Sequence, residues 1–173
     1  VGYVSHTLPP STFNIIGITL HEAPNASGVF EVVTTHSVTD NDRDFTATLA
    51  PNTDYILEVT SGAANGELQF FTTTDVAGFT ITTSDDLVAL GLVSGDSYKI
   101  RKASTLASIF GKDNTAGLVG NGSSSAADQV WVLGDSGFTK YYYSVNPFSP
   151  SASSWKEVDS SNSVDASNIP IFY

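Results

Sequence analysis

Residues 128–145 read DQVWVLGDSGFTKYYYSV, two runs of strand-forming residues on either side of the turn DSG at residues 135–137. Aromatic and β-branched residues favour strands, and a short loop that contains glycine joins two such runs into a hairpin. The stretch therefore predicts an antiparallel hairpin. Consecutive side chains on a strand alternate between its faces, so at least one of Tyr141, Tyr142 and Tyr143 is expected to point away from the core.

The sequence before the hairpin has the same pattern: short runs of strand-forming residues are separated by Gly, Asn, Asp, Ser and Pro. In DYILEVT, residues 54–60, alternation places Tyr55, Leu57 and Val59 on one face of a predicted strand. DFTATLA, residues 44–50, is also predicted to be a strand.

Two segments carry helix signals instead of strand signals. TSDDLVALGL, residues 83–92, offers Ser84 as an N-cap, and ASTLASIFG, residues 103–111, offers Ser104 as an N-cap with a glycine at its end. We therefore predict an all-β fold, a sandwich or a partly open barrel, with one or two short helices. One β-rich domain is expected over residues 1–173, with a soft subdivision into residues 1–103 and 104–173.

Composition restricts the classes of partner. Seven basic residues stand against 18 acidic ones, for a net charge of −11, which argues against binding to nucleic acid or to anionic lipid. No stretch approaches the ~20 apolar residues that a membrane helix needs, so membrane insertion is not expected. Cysteine is absent, which excludes disulfides and thiolate metal sites. Hydroxyl residues outnumber charged ones, as suits an extracellular β-protein. A chain that begins at Val1 without methionine is expected to be processed, so we predict secretion to the extracellular space or cell surface.

Several local patterns together resemble a family of secreted, β-rich proteins from bacteria of the Verrucomicrobia–Planctomycetes group. The patterns are VGYVSHTLP at the start, FNIIGITL, GLVSGDSYKIRKASTLASIFG, and ADQVWVLGDSGFTKYYY followed by SWKEV and IPIFY. The resemblance covers most of the chain and implies export and a β-rich fold. It supplies no catalytic residues. Members of the family often continue with further strands after the segment that matches IPIFY, so the resemblance implies that this chain is a shortened or processed form.

One cluster of acidic residues has the composition of a cation site. Asp40, Asp42 and Asp44 alternate in DNDRD, and oxygen-rich clusters of this kind can bind Ca²⁺. The spacing does not fit an EF-hand loop, because the required glycine and glutamate are missing. A polar turn between two strands explains the same residues. Ca²⁺ is thus a possible ligand, and no other cofactor is indicated.

Aromatic residues in the last third of the chain are candidates for contact with a partner. Exposed rings could stack on sugars or pack against a neighbouring subunit, whereas ordinary core packing and a cross-strand ladder explain them equally. The candidates for an interface or glycan-facing role are Trp131, Tyr141, Tyr142, Tyr143 and Trp155.

Both ends of the chain are apolar, which suggests strands that dock on a neighbour. An exposed apolar terminal strand is a pairing hazard in a monomer, but in a polymer it can complete the sheet of another subunit. The predicted docking residues are Val1, Tyr3, Val4, Ile169, Ile171, Phe172 and Tyr173. If the C-terminal tail docks within its own chain instead, Ile169, Ile171 and Tyr173 form an ordinary last strand, which Pro170 confines to a sheet edge.

The function predicted first from the sequence is structural. We expect a secreted, self-assembling subunit of an extracellular filament, sheath or surface layer, a homo-polymer joined by terminal-strand addition. The alternative is an extracellular carbohydrate-binding or adhesive module. No nucleophile elbow or zinc-protease helix motif occurs, and an enzyme is not expected.

Overall fold

A computed structural model describes residues 9, 12–15, 23–134, 137–160 and 162–171, and the chain divides after Lys102 into two compact units. Within these residues, eleven β-strands form three antiparallel sheets and the two α-helices are short. None of the sheets closes into a barrel within the same residues. The prediction of an all-β fold with one or two short helices is confirmed. No helix in the described part of the chain is long and apolar enough to span a bilayer.

Unit 1, up to Lys102, contains two four-stranded sheets and one helix. Its elements are β1 (Ala26–Val29), β2 (Val32–Val33), β3 (Ser37–Thr39), α1 (Phe45–Thr48), β4 (Asp54–Val59), β5 (Leu68–Thr72), a 3₁₀ turn (Thr73–Asp75), β6 (Val76–Ala77), β7 (Thr80–Thr82) and β8 (Ser97–Lys102). One sheet has the order β1-β8-β4-β5, and the other has the order β2-β3-β7-β6.

The two sheets of unit 1 share one buried core, which makes this unit a β-sandwich. Tyr55, Leu57 and Val59 of β4 enter the core from the first sheet, and Val38 and Ile81 enter it from the second. All five side chains are nearly or fully buried. The predicted common face of Tyr55, Leu57 and Val59 is therefore confirmed.

The segment 44–50, predicted as a strand, begins instead with the single helical turn α1. The Asp44 carboxylate accepts the backbone N–H of Thr46 at 3.0 Å and that of Ala47 at 3.3 Å. These donors have no partner inside a helix, so an aspartate at this position stabilises the turn. The strand prediction was wrong because local capping outweighed the β propensity of the threonines.

The segment 83–92, predicted as a helix, is a series of turns. Asp86 rather than Ser84 caps it, because the Ala89 N–H donates to Asp86 Oδ1 at 2.9 Å. The chain turns again at Gly91, where φ is +91°. The Leu90 N–H donates to the carbonyl four residues earlier, but the N–H groups of Gly91 and Leu92 donate to carbonyls three and five residues earlier, so no regular helix forms.

Unit 2 follows Lys102 and contains one helix and one three-stranded sheet. Its elements are α2 (Leu106–Phe110), a 3₁₀ turn (Ser124–Ala126), β9 (Gln129–Gly134), β10 (Gly137–Ser144), a 3₁₀ turn (Pro150–Ala152), β11 (Ser154–Glu157) and a 3₁₀ turn (Ala166–Asn168). The sheet order is β11-β10-β9, which confirms the predicted hairpin. Helix α2 is also confirmed, although its N-cap is Thr105 instead of Ser104.

Candidate functional site

The pairing of β9, β10 and β11 fixes which side chains share a face. On β9 and β10, Trp131 lies opposite Lys140, and Leu133 lies opposite Phe138. Successive side chains point to opposite faces, so these four belong to one side of the sheet. The three-stranded sheet therefore has an inner side, which carries the core of unit 2, and an outer side, which carries these four residues.

The inner side is built around Trp155, of which 2 % is exposed. Its indole N–H donates to the Gly111 carbonyl at 3.0 Å. The Tyr143 ring meets it edge-on with centroids 5.6 Å apart, and the Phe110 ring lies 6.2 Å away. Leu106 of α2 is fully buried in the same cluster. This side of the sheet is core, closed to a ligand.

The outer side presents large apolar side chains to solvent. Trp131 is 41 % exposed, Leu133 is 56 % exposed and Phe138 is 55 % exposed. Contiguous exposed apolar side chains on a soluble protein often mark a binding surface. We name this surface the outer aromatic face and define it as Gln129, Trp131, Leu133, Phe138 and Lys140.

Three contacts hold the Trp131 ring in position. Its indole N–H donates to Gln129 Oε1 at 3.0 Å, and Gln129 Nε2 in turn donates to the Ser124 carbonyl at 3.0 Å. The Lys140 ammonium lies 4.1 Å from the centroid of the Trp131 ring, a cation–π contact. The Phe138 ring is 6.1 Å away at an angle of 54°. The exposed ring is thus pre-organised, so little conformational entropy is lost when a ligand packs against it.

Among the aromatic candidates from the sequence, Trp131 is exposed, Tyr142 and Trp155 are buried, and Tyr141 and Tyr143 are half-buried. Trp155 is in the core, and Tyr141 and Tyr143 pack against the same core cluster. Tyr142 does point to the outer side, as alternation requires, yet only 6 % of it is exposed. Burial leaves Trp155 and Tyr142 little surface for an interface or glycan-facing role, and core packing explains Tyr141 and Tyr143.

The phenols of Tyr141 and Tyr143 are protonated at neutral pH. Burial, followed by the neighbouring Glu157 carboxylate, raises the pKa of Tyr141. Burial, followed by Asp113, raises the pKa of Tyr143. Both tyrosines therefore act as neutral packing groups in unit 2.

The C-terminal docking residues within the described part of the chain are used inside unit 2. The Leu106 N–H donates to the Ile169 carbonyl at 2.9 Å, and the Ile171 N–H donates to the Ser104 carbonyl at 2.8 Å. Ile169 and Ile171 also pack against the core cluster. Residues 169–171 thus form a short bridge within their own chain, and their role as a docking strand on a neighbour stays a prediction.

The remaining docking residues lie outside the described part of the chain. These are Val1, Tyr3, Val4, Phe172 and Tyr173. Their predicted role in joining subunits stays a prediction.

The acidic group that the structure brings together differs from the one predicted. Carboxylate oxygens of Glu31, Asp40 and Asp42 lie within 4.8 Å of one another. Asp44 is not a member, because its carboxylate caps α1. Glu31 joins the group because the Glu31 N–H donates to the Thr39 carbonyl at 3.0 Å, which extends the β2–β3 pairing and places Glu31 beside the loop at Asp40.

The oxygens of this group already serve the local structure. Asp40 is 3 % exposed, and its carboxylate accepts the Tyr98 hydroxyl at 2.5 Å and the Asp42 N–H at 2.9 Å. Glu31 Oε2 accepts the Asn41 N–H at 2.7 Å. Ca²⁺ takes six to eight oxygens, so these three carboxylates alone would not complete its shell. The geometry supports a structural role, and Ca²⁺ binding stays a prediction.

Asp40 and Tyr98 form a buried pair that β1 accommodates with a glycine. Burial, and then the hydrogen bond to Asp40, raises the pKa of Tyr98. A Cβ atom at Gly28 would lie 2.3 Å from Asp40 Oδ2, so any larger residue at Gly28 would displace this carboxylate. The pair is accordingly part of the core of unit 1.

Sequence reasoning missed four members of the outer aromatic face: Gln129, Leu133, Phe138 and Lys140. The register of the predicted hairpin could have identified them. Gly134 pairs with Gly137, and counting outward from that pair places Lys140 beside Trp131. The exposure of the outer aromatic face was not predictable. Alternation shows on which side of the sheet a side chain lies, but it does not show whether another part of the chain covers that side.

Comparisons of the chain with protein-family models, with curated proteins and with solved structures find no match. The resemblance to secreted bacterial proteins stays a prediction from the sequence. The geometry of the outer aromatic face is the ground for a functional proposal.

Proposed function

We propose that this chain is a non-catalytic, extracellular carbohydrate-binding module that holds polysaccharide on its outer aromatic face. The supporting observation is the exposed Trp131 ring, fixed by Gln129 and flanked by Phe138 and Lys140. The C–H face of a pyranose ring is apolar and flat, and it packs well on an aromatic ring. A ring that is already held in place binds such a partner at low entropic cost.

The size of the outer aromatic face favours a glycan over a protein partner. The exposed fractions of Trp131, Leu133 and Phe138 are 41 %, 56 % and 55 %. A large apolar side chain of this kind buries about 150–250 Å² when it is fully covered. Multiplied by the exposed fractions, this gives roughly 300 Å² of exposed apolar surface for the three side chains together. A stable protein interface needs about 800 Å² on each partner. A few sugar rings match the smaller area.

The structural role predicted first from the sequence loses part of its support. Ile169, Ile171 and Trp155, on which it relied, are used within unit 2. Its remaining basis is the docking residues outside the described part of the chain, which are Val1, Tyr3, Val4, Phe172 and Tyr173. Polymerisation is therefore kept as an outcome that the test must be able to detect.

Replacing Trp131 with alanine is expected to weaken binding to polysaccharide by about tenfold or more, as is usual when an aromatic anchor is removed. Binding is measured by co-sedimentation with insoluble polysaccharides and by affinity electrophoresis with soluble ones. Phe148→Ala is the matched control, because Phe148 is an aromatic side chain that is 97 % exposed and lies outside the outer aromatic face. This control should bind as the parent chain does.

Two results would reject the proposal. One is equal loss of binding in the Trp131→Ala and Phe148→Ala variants, which would indicate non-specific adsorption through any exposed ring. The other is a chain that binds no polysaccharide and sediments as long polymers, which would favour the self-assembling structural protein.

A further inference from the structure

We infer that the polysaccharide held on the outer aromatic face is acidic, with carboxylate or sulfate groups along its chain. The inference rests on the proposed function and adds the chemical class of the ligand. It comes from two lysines, Lys140 and Lys156, on the outer side of the three-stranded sheet. Lys140 lies opposite Trp131, and Lys156 lies opposite Tyr142 on the neighbouring strand.

The outer side of the sheet has a charge opposite to that of the whole chain. The chain carries 18 acidic and seven basic residues. On the described strands β9, β10 and β11, the outer-side positions carry two lysines and no carboxylate. The acidic residue of these strands, Glu157, pairs with Tyr141 and belongs to the inner side. A local positive field on an otherwise anionic protein attracts and orients an anionic ligand.

The described residues supply no ion-pair partner to Lys140 or to Lys156. The Lys140 ammonium contacts the Trp131 ring. Both lysines are half-buried, and a lysine can bury its aliphatic stem while its ammonium stays in water. Their ammonium groups are thus available to anionic groups of a ligand.

The position of Lys140 links its charge to stacking on the indole. Its ammonium lies 4.1 Å from the centroid of the Trp131 ring and covers one face of it. A sugar that packs on the opposite face can project its substituents past the edge of the ring toward the ammonium. Lys156 is a diagonal neighbour of Lys140 across β10 and β11, about 7–8 Å away between backbones. An acidic polysaccharide can meet the first lysine with one residue and the second with another. The hydroxyls of a neutral polysaccharide can accept hydrogen bonds from the ammonium groups, but such a polymer gains no ionic attraction from them.

The test compares three soluble polymers with the full chain: polygalacturonate for carboxylates, dextran sulfate for sulfates, and dextran as the neutral probe. Affinities are measured by calorimetry at low and at high salt. The double variant Lys140→Gln/Lys156→Gln removes both charges and keeps the length of the side chains. Lys112→Gln is the matched control, because Lys112 is an exposed lysine of unit 2 outside the sheet.

Binding to one of the two anionic polymers is expected to exceed binding to dextran and to weaken with salt. The double variant should lose about tenfold or more of that affinity, whereas Lys112→Gln should keep it. The polymer that binds better identifies carboxylate or sulfate as the group recognised.

Failure of this inference is distinguishable from failure of the proposed function. If dextran binds as tightly as the anionic polymers and only Trp131→Ala abolishes binding, the ligand is neutral and the inference is overturned while the module remains. If the lysine variant and its control lose affinity equally, the attraction is non-specific and the inference is also overturned. If no polymer binds the parent chain, the proposed function itself fails.

Discussion

Replacing Trp155 with alanine is expected to lower the free energy of unfolding by about 3–5 kcal/mol, the usual cost of deleting a large buried aromatic side chain. Trp155 is 2 % exposed, and its ring packs against Tyr143 and Phe110. The change also leaves the Gly111 carbonyl without the indole donor. A loss of this size is comparable to the whole stability of a small domain. Urea unfolding followed by circular dichroism measures it.

Trp131→Ala is the matched control for this prediction, since it removes the same side chain from the outer side of the same sheet. It should change the free energy of unfolding by less than about 1 kcal/mol, because surface substitutions rarely cost more. Comparing the Trp155→Ala and Trp131→Ala variants therefore separates an effect on stability from an effect on polysaccharide binding. A Trp155→Ala chain that is as stable as its parent but no longer binds polysaccharide would restore the role that the sequence suggested for Trp155.

Replacing Tyr98 with phenylalanine is expected to cost about 1–3 kcal/mol at neutral pH, because a buried Asp40 oxygen loses its hydroxyl donor. Asp40 is 3 % exposed, and its contact with Tyr98 is 2.5 Å long. The measurement is a double-mutant cycle with Asp40→Asn, read by urea unfolding. The double variant should cost less than the two single variants together. Full additivity would show that the two side chains do not support each other.

The raised pKa of Tyr98 also determines how the free energy of unfolding should change at alkaline pH. Burial and Asp40 raise the pKa of Tyr98 in the folded chain. The folded state therefore keeps a phenol proton that the unfolded chain releases above pH about 10. The resulting stabilisation is complete below that pH and is lost as the pH rises further. The Tyr98→Phe variant should show a shallower alkaline loss than the parent, and an identical slope would contradict the assignment.

Periodicity and turn chemistry were enough to predict the hairpin, because both act between residues close in sequence. The glycine of the DSG turn and the alternation of apolar side chains set the register that places Lys140 opposite Trp131. The shared face of Tyr55, Leu57 and Val59 followed for the same reason. Helix α2 was also predictable, and its cap moved by one residue to Thr105, as is common at helix ends.

The depth of burial could not be predicted, because it depends on residues distant in sequence. Trp155 is covered by α2 and by residues near Ile169, and no local pattern states that these segments fold over it. Glu31 and Asp40 are likewise nine residues apart and meet through the β2–β3 pairing. Asp44 failed as a candidate ligand because a nearby helical turn uses its carboxylate as a cap. Local sequence thus identified the chemical groups, and tertiary packing decided which of them remain exposed.

The most direct measurement of the central claim is acrylamide quenching of tryptophan fluorescence during a polysaccharide titration. The chain has two tryptophans, and Trp131 is 41 % exposed whereas Trp155 is 2 % exposed, so quenching reports on Trp131. If sugar rings stack on the outer aromatic face, the quenchable fraction of the emission falls to near zero as the polymer saturates the chain. Saturated binding that leaves the quenchable fraction unchanged would contradict the proposed binding site.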